Sequence, residues 1–247
     1  MNLQVDVGNS FVKWRILSTD GRILCGRERT SSVVSMDGID VWDKIGSISV
    51  SSVASGDIDG CLRAVFRQNL PGITPFFAKS QASFGGVFNA YKDPGQLGVD
   101  RWLGIIAGYS KYKESCLVVD CGSAITIDAI DDLGQHQGGY ILPGVELMKG
   151  SLSSGTSNVE FGCGSGGGVE YGETTSECVQ AGVGFTILSI FNGLRSKMKS
   201  EGIKRLIVTG GDGLYVKSLC SFVEYIPDLV FDGLSLVRGV GCDSDIM

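Results

Sequence analysis

Two short stretches of this chain place carboxylates where they could do chemistry. In "LQVDVGNSFVKW" (Leu3–Trp14), Asp6 ends an apolar strand-like run just before Gly8-Asn9-Ser10, and Lys13 follows the turn. An unpaired carboxylate in apolar surroundings is costly, so Asp6 needs a metal, a donor or a ligand. Mg²⁺ takes few protein carboxylates and fills its shell with water and phosphates, so Asp6 could hold it directly or through water. The turn could offer backbone N–H groups to an anion, and Lys13 could reach the same phosphates. A plain hairpin with a solvated aspartate is the competing structural reading. In "YKDPGQLGVDRW" (Tyr91–Trp102), Asp100-Arg101 begins a helix behind Gly98. There Arg101 could grip a substrate carboxylate bidentately, while Asp100 faces a hydroxyl and accepts its proton as general base. A helix-starting aspartate beside an ordinary surface arginine is the alternative.

The elements around these residues follow from hydrophobic patterning. Leu3–Gly8, Phe11–Ser18 and Arg22–Arg27 read as strands joined by tight turns at Gly8-Asn9 and Asp20-Gly21, and Ser47–Val53 alternates like a fourth. Asp57–Leu70 and Arg101–Lys113 carry apolar residues at helical spacing, as do Thr174–Ser200 and Tyr215–Phe222. The opening pattern then returns: "LVVDCGSAITIDAI" (Leu117–Ile130) lays Asp120 under Asp6 and Gly122 under Gly8. A repeat about half a chain length later predicts a duplicated domain, with 1–114 and 115–247 as the two halves. "RLIVTGGDG" (Arg205–Gly213) supplies a third strand ending in a glycine turn. Three such turns could converge on one cleft between similar domains. The Gly/Ser-rich stretch Ser153–Gly172 reads as a loop.

Composition narrows the classes. The 247 residues carry a net charge of −6, which opposes a nucleic-acid partner because phosphate contacts need a basic face. No apolar run approaches a membrane span and no signal peptide is visible, so the expectation is a cytoplasmic protein. Eight scattered cysteines without a CxxC pair, and His136 as the lone histidine, disfavour a zinc site and histidine-based nucleophilic catalysis. GxxxxGK[ST] is absent, and no GxGxxG opens a helix after a strand.

Taken in order, "DVGNSFVKW" (Asp6–Trp14), "LGVDRW" (Leu97–Trp102), "VVDCGSAITID" (Val118–Asp128), "GGYILPG" (Gly138–Gly144) and "TGGDG" (Thr209–Gly213) resemble the motifs of type III pantothenate kinases. These belong to the superfamily of actin and the acetate and sugar kinases. The resemblance implies an α/β fold of two ribonuclease-H-like (actin-like) domains, each a mixed sheet flanked by helices, with a cleft between them. It implies ATP-dependent phosphorylation of the pantothenate 4′-hydroxyl, the first step of coenzyme A biosynthesis. On that basis Asp6, Val7, Gly8, Asn9, Ser10, Phe11, Val12, Lys13 and Ser123 contact ATP. Tyr91, Gly98, Val99, Asp100 and Arg101 hold pantothenate, with Thr175 (or its neighbour Thr174) reaching it across the interface of a homodimer. Asp120 corresponds to the ligand of a monovalent cation, potassium or ammonium. A non-catalytic regulatory relative, or a kinase of another small hydroxy acid, is the alternative function.

Overall fold

Alternation of apolar and polar residues builds the first hairpin of the computed structural model, which describes residues 1–18, 23–30, 35–54, 56–155 and 168–240. The chain runs β1 (Asn2–Val7), β2 (Phe11–Leu17), β3 (Ile23–Arg29), β4 (Ser47–Ser52), α1 (Gly56–Asn69) and β5 (Phe76–Phe77). Short strands β6 (Ser83–Phe84) and β7 (Val87–Phe88) lead to α2 (Val99–Tyr112). The repeat follows as β8 (Cys116–Cys121), β9 (Ala124–Ile130), β10 (His136–Pro143), α3 (Val145–Gly155) and α4 (Thr175–Glu201). The chain closes with β11 (Arg205–Thr209), α5 (Gly213–Leu219), β12 (Glu224–Tyr225) and α6 (Leu229–Val240).

These elements form two compact units. The first holds Met1–Gly85, Tyr91–Ala107 and the segment from Leu229 onward; the second holds Gly86–Ala90 and Gly108–Asp228. In the first, the sheet order is β3-β2-β1-β4-β5, antiparallel across β1, β2 and β3 and parallel from β1 through β5. Leu3, Val5, Val7, Val12, Trp14, Ile16, Ile48 and Val50 share one face and pack with Leu62 and Phe66 of α1. Each such buried side chain contributes about 1.5–3 kcal/mol. The opposite face is polar. Arg15 Nε donates to Gln4 Oε1 at 2.6 Å, and Gln4 Nε2 donates to Ser235 Oγ of α6 at 2.7 Å. Arg15 Nη2 reaches Asp232 Oδ1 at 3.1 Å. The last helix therefore lies on the first sheet, where buried donors and acceptors find partners they would otherwise lack.

The second unit repeats the plan in the order β10-β9-β8-β11-β12, again three antiparallel strands followed by parallel β11 and β12. Leu117, Val119, Cys121, Ile125 and Ile127 meet Val183, Ile187, Phe191 and Leu194 of α4. The same strand order in both units is the duplicated mixed sheet that the sequence repeat predicts. Thr174 caps α4 through a capping box with Glu177, and left-handed Gly202 ends it. Among the described residues, α4 is the one helix long and apolar enough to cross a membrane by length and composition. Its buried stripe is what a helix packed on a sheet presents.

Several elements differ from the sequence reading. α2 begins two residues earlier, at Val99, and the last predicted helix is the shorter α5. Ser153–Gly155 end α3 rather than beginning a loop. The Asp20-Gly21 turn, residues 156–167 of the Gly/Ser-rich stretch, Cys163 and Cys242 lie outside the described residues. Cys116, Cys121 and Cys220 are buried free thiols. Burial pushes the Cys116 thiol up to about 12, so it stays a neutral, space-filling group.

Candidate active site

Strand pairing gathers the first group of polar residues. Asp6 stands opposite Lys13 on β2 and opposite Ser51 on β4, so all three side chains leave the same face of the sheet. The first turn of α2 brings Asp100 close enough to act on Asp6. Burial pushes the Asp6 carboxyl up to about 6; Asp100 adds to the rise, and Lys13 and Ser51 oppose it. Asp6 still keeps part of its surface accessible. Ser51 Oγ is buried, with no hydrogen bond of ordinary geometry among the described residues. It nevertheless sits near enough to lower the Asp6 pKa. Two carboxylates, one lysine and one hydroxyl thus act on one another here. Mg²⁺ bound by one or two carboxylates plus phosphate oxygens fits that donor set.

The turn beyond Asp6 is tied back at its base. Gly8 N–H donates to the Phe11 carbonyl at 3.0 Å, and Thr30 Oγ1 donates to the Gly8 carbonyl at 2.9 Å. Asn9 and Ser10 are exposed at its tip. Val7 and Val12 point into the apolar core, so only their backbones could meet a ligand on this side. Phe11 lies under the Arg27 and Arg29 guanidinium groups.

The Tyr91–Trp102 stretch is held by bonds within the same unit. Arg101 Nη1 donates to Tyr91 Oη at 3.0 Å, fixing the guanidinium against the ring. The Asp100 carboxylate folds back to accept the Arg101 backbone N–H at 2.7 Å. A Cβ on Gly98 would stand 2.6 Å from Asp100 Oδ1, so this position must lack a side chain if the carboxylate is to turn that way. Val99 is buried and anchors the start of α2.

Asp120 belongs to the second unit, at the end of β8 beside Thr209 of β11. Gly210 has φ +91°, and a Cβ there would meet Asp120 Oδ1 at 2.3 Å and the Cys121 carbonyl at 2.5 Å. That carbonyl accepts the Asp212 N–H, and the Ser123 carbonyl accepts the Gly144 N–H. A carboxylate and closely packed backbone carbonyls are oxygen donors of the kind a hard monovalent cation takes, and Gly210 lets the backbone approach them where a side chain would clash. Among the described residues no group of three or more His, Cys, Asp or Glu could hold a metal. Thr175 opens α4 exposed to solvent, while the Thr174 hydroxyl accepts the Glu177 N–H at 3.2 Å.

The structure thus joins Asp6, Lys13 and Asp100, and pairs Tyr91 with Arg101, the neighbour of Asp100, all in the first unit. Asp120 and Ser123 belong to the second unit. Ser51 and Gly144 went unread as site residues. Ser51 could have been found from the alternation of "SISVSS", which sets Ser49 and Ser51 on the face opposite Ile48 and Val50.

Comparison with known proteins gives the family. The family model described as type III pantothenate kinase matches residues 2–197. The type III pantothenate kinase of Hahella chejuensis is 36% identical over 242 residues, covering 95% of this chain and 96% of its own. That of Ectopseudomonas mendocina is 33% identical over 251 residues, covering 96% and 98%. In fold, the chain is similar to the activator of the 2-hydroxyisocaproyl-CoA dehydratase from Clostridium difficile, solved with bound ADPNP. There the TM-score is 0.51 at 12% identity, over 100% of this chain and 97% of that one. Relatives matched nearly end to end, and a family model reaching from β1 into α4, leave one assignment: the chain belongs to the type III pantothenate kinases.

Proposed function

We propose that this chain transfers the γ-phosphoryl group of ATP to the 4′-hydroxyl of pantothenate, the first step of coenzyme A biosynthesis. Family membership supports the reaction. The observation that carries the site is the convergence of Asp6, Lys13 and Asp100. Asp6 through Lys13 line the ATP phosphates, with Lys13 as the cation and the exposed Asn9–Ser10 tip as the backbone contact. Asp6 would hold Mg²⁺, directly or through water; when bound, the ion offsets phosphate charge. Asp100 accepts the hydroxyl proton as the pantothenate oxygen bonds to the γ-phosphorus and the bond to the departing ADP oxygen breaks. Arg101, held by Tyr91, pairs with the pantothenate carboxylate, and Gly98 and Val99 shape the approach.

Asp120 would hold a monovalent cation, potassium or ammonium, and Ser123 would contact ATP. Thr175 is the better candidate than Thr174 for a substrate contact, because the Thr174 hydroxyl is engaged as the helix cap. Exposed Tyr140, Ile141, Leu147 and Phe185 on β10, α3 and α4 support a homodimer formed through the second unit, with the active site near its interface. The acidic balance of the chain supports an enzyme that works without a nucleic-acid partner.

The test is pantothenate-dependent ADP release from ATP and Mg²⁺ in sodium buffer, with and without added potassium or ammonium. Turnover that requires both pantothenate and the larger cation is expected. ADP release indifferent to pantothenate would overturn the acceptor assignment, and indifference to the cation would remove that role from Asp120.

A further inference from the structure

His136 is the sole histidine of the chain and takes no part in the transfer proposed above, yet it is 1% exposed and pairs with Asp128 at 2%. Its Nε2 lies 3.0 Å from Asp128 Oδ1, and Nδ1 accepts the Ala90 N–H at 3.4 Å. Both contacts are met by the neutral ring with its proton on Nε2, given to the carboxylate. Ala90 is the residue before Tyr91, whose hydroxyl accepts from Arg101.

Other bonds stitch the same segment to the same turn of the second unit. Phe88 N–H donates to the Gly134 carbonyl at 2.9 Å, and Gln135 Nε2 donates to the Phe88 carbonyl at 3.4 Å. Gly134 has φ +80°, and a Cβ there would fall 2.0 Å from the Gly86 carbonyl oxygen. The turn is itself held by the Asp131 carboxylate, which accepts the Leu133 and Gln135 N–H groups, both at 2.9 Å. Of the two residues of β7, Val87 is buried and Phe88 is 49% exposed, so backbone bonds supply much of what seats this strap. A buried Asp–His pair is an expensive way to fill space, since apolar residues of like volume do so at no electrostatic cost. It is a good way to fix one backbone N–H in direction and distance.

From this we infer that Asp128 and His136 are positioning residues for the acceptor: the pair, with the turn 131–135, sets the Gly86–Ala90 strap and, through the peptide bond that follows Ala90, the backbone at Tyr91. The inference rests on the acceptor reading proposed above. Its consequence is selective for pantothenate, because the strap leads by one peptide bond into Tyr91, the partner of Arg101.

Two substitutions separate the two ring nitrogens. In His136→Asn the side-chain oxygen falls near the Nδ1 position and can still accept the Ala90 N–H. In His136→Gln the amide reaches Asp128 instead and the Ala90 bond is lost. Steady-state kinetics on the full chain should show His136→Gln raising the pantothenate KM about 3- to 10-fold, the worth of one hydrogen bond, with the ATP KM unchanged. His136→Asn should stay within about twofold of wild type by the same argument. Equal shifts in the two variants, or pantothenate and ATP KM values that move together with Tm, would overturn the inference. Ala90→Pro removes the donating N–H without touching the buried pair. An unchanged pantothenate KM there overturns it whatever the His136 variants do. A wild-type chain with no pantothenate turnover overturns the acceptor reading and this inference with it. A wild type that turns over, with no selective shift in the variants, overturns the inference alone.

Discussion

Replacing Asp6 by Asn should stabilise the ligand-free protein, and more so at high pH. The folded protein holds the Asp6 proton up to about pH 6, whereas the ordinary value is 3.8. Between those values the unfolded chain is ionised and the folded one is not, so wild-type stability falls as pH rises through this window and the cost is complete above it. At 1.36 kcal/mol per unit the cost is about 3 kcal/mol at pH 8 and about 1.6 kcal/mol at pH 5. Partial solvent access to the carboxyl trims these by half, to about 1.5 and 0.8 kcal/mol. Asparagine mimics the neutral form at every pH, so Asp6→Asn should exceed wild type by about 1.5–3 kcal/mol at pH 8, or some 3–12 °C in Tm for a chain of this size. The gap should shrink to about half at pH 5. Calorimetry or urea unfolding of both proteins at the two pH values, without Mg²⁺ or nucleotide, measures it. A gap that is equal at pH 5 and pH 8, or a wild type more stable than the variant at pH 8, would refute the reasoning. The variant should also lose the stabilisation that Mg²⁺-ATP gives the wild type, because the charge that costs stability is the charge proposed to bind.

Asp100→Asn should lower kcat by about 10²–10⁴-fold if the carboxylate is the general base; near-normal turnover removes it from the mechanism. The same change takes a negative charge away from Asp6, so the Asp6 pKa, followed by NMR titration, should move down. Arg101→Ala should raise the pantothenate KM by about 10- to 100-fold, the range for a lost charge-assisted hydrogen bond. A change confined to the ATP KM would place the acceptor elsewhere. Gly210→Ala forces a Cβ to 2.3 Å from Asp120 Oδ1. It should cost roughly 2–4 kcal/mol through clash and the positive φ, and abolish the response to potassium; retention of both stability and cation response would dissociate Gly210 from Asp120.

Local chemistry and local pattern were legible in the chain. The strand that ends in Asp6, its copy ending in Asp120 and the helical runs of α2 and α4 depend on residues within a few positions of one another. Alternation and helical spacing report such features directly. Even the duplicated sheet follows from a repeat that can be read by eye, and the two units carry the same strand order.

What the tertiary structure decided comes from pairing across long sequence separations, which no window of sequence encodes. The parallel register of β1 with β4 sets Ser51 beside Asp6, and the first turn of α2 adds Asp100, so the pKa of Asp6, raised by burial and by Asp100 against the pull of Lys13 and Ser51, depends on distant segments. α6 returns to the first sheet because Gln4 and Arg15, buried on its polar face, find partners in Ser235 and Asp232. His136 read as an isolated histidine until the β9–β10 turn brought it against Ala90. Sequence by itself determined which residues could do chemistry and which short elements carry them. Burial, register and the meeting of distant polar groups determined which of them share an environment, because a carboxylate's proton affinity and a guanidinium's position depend on neighbours in space rather than along the chain.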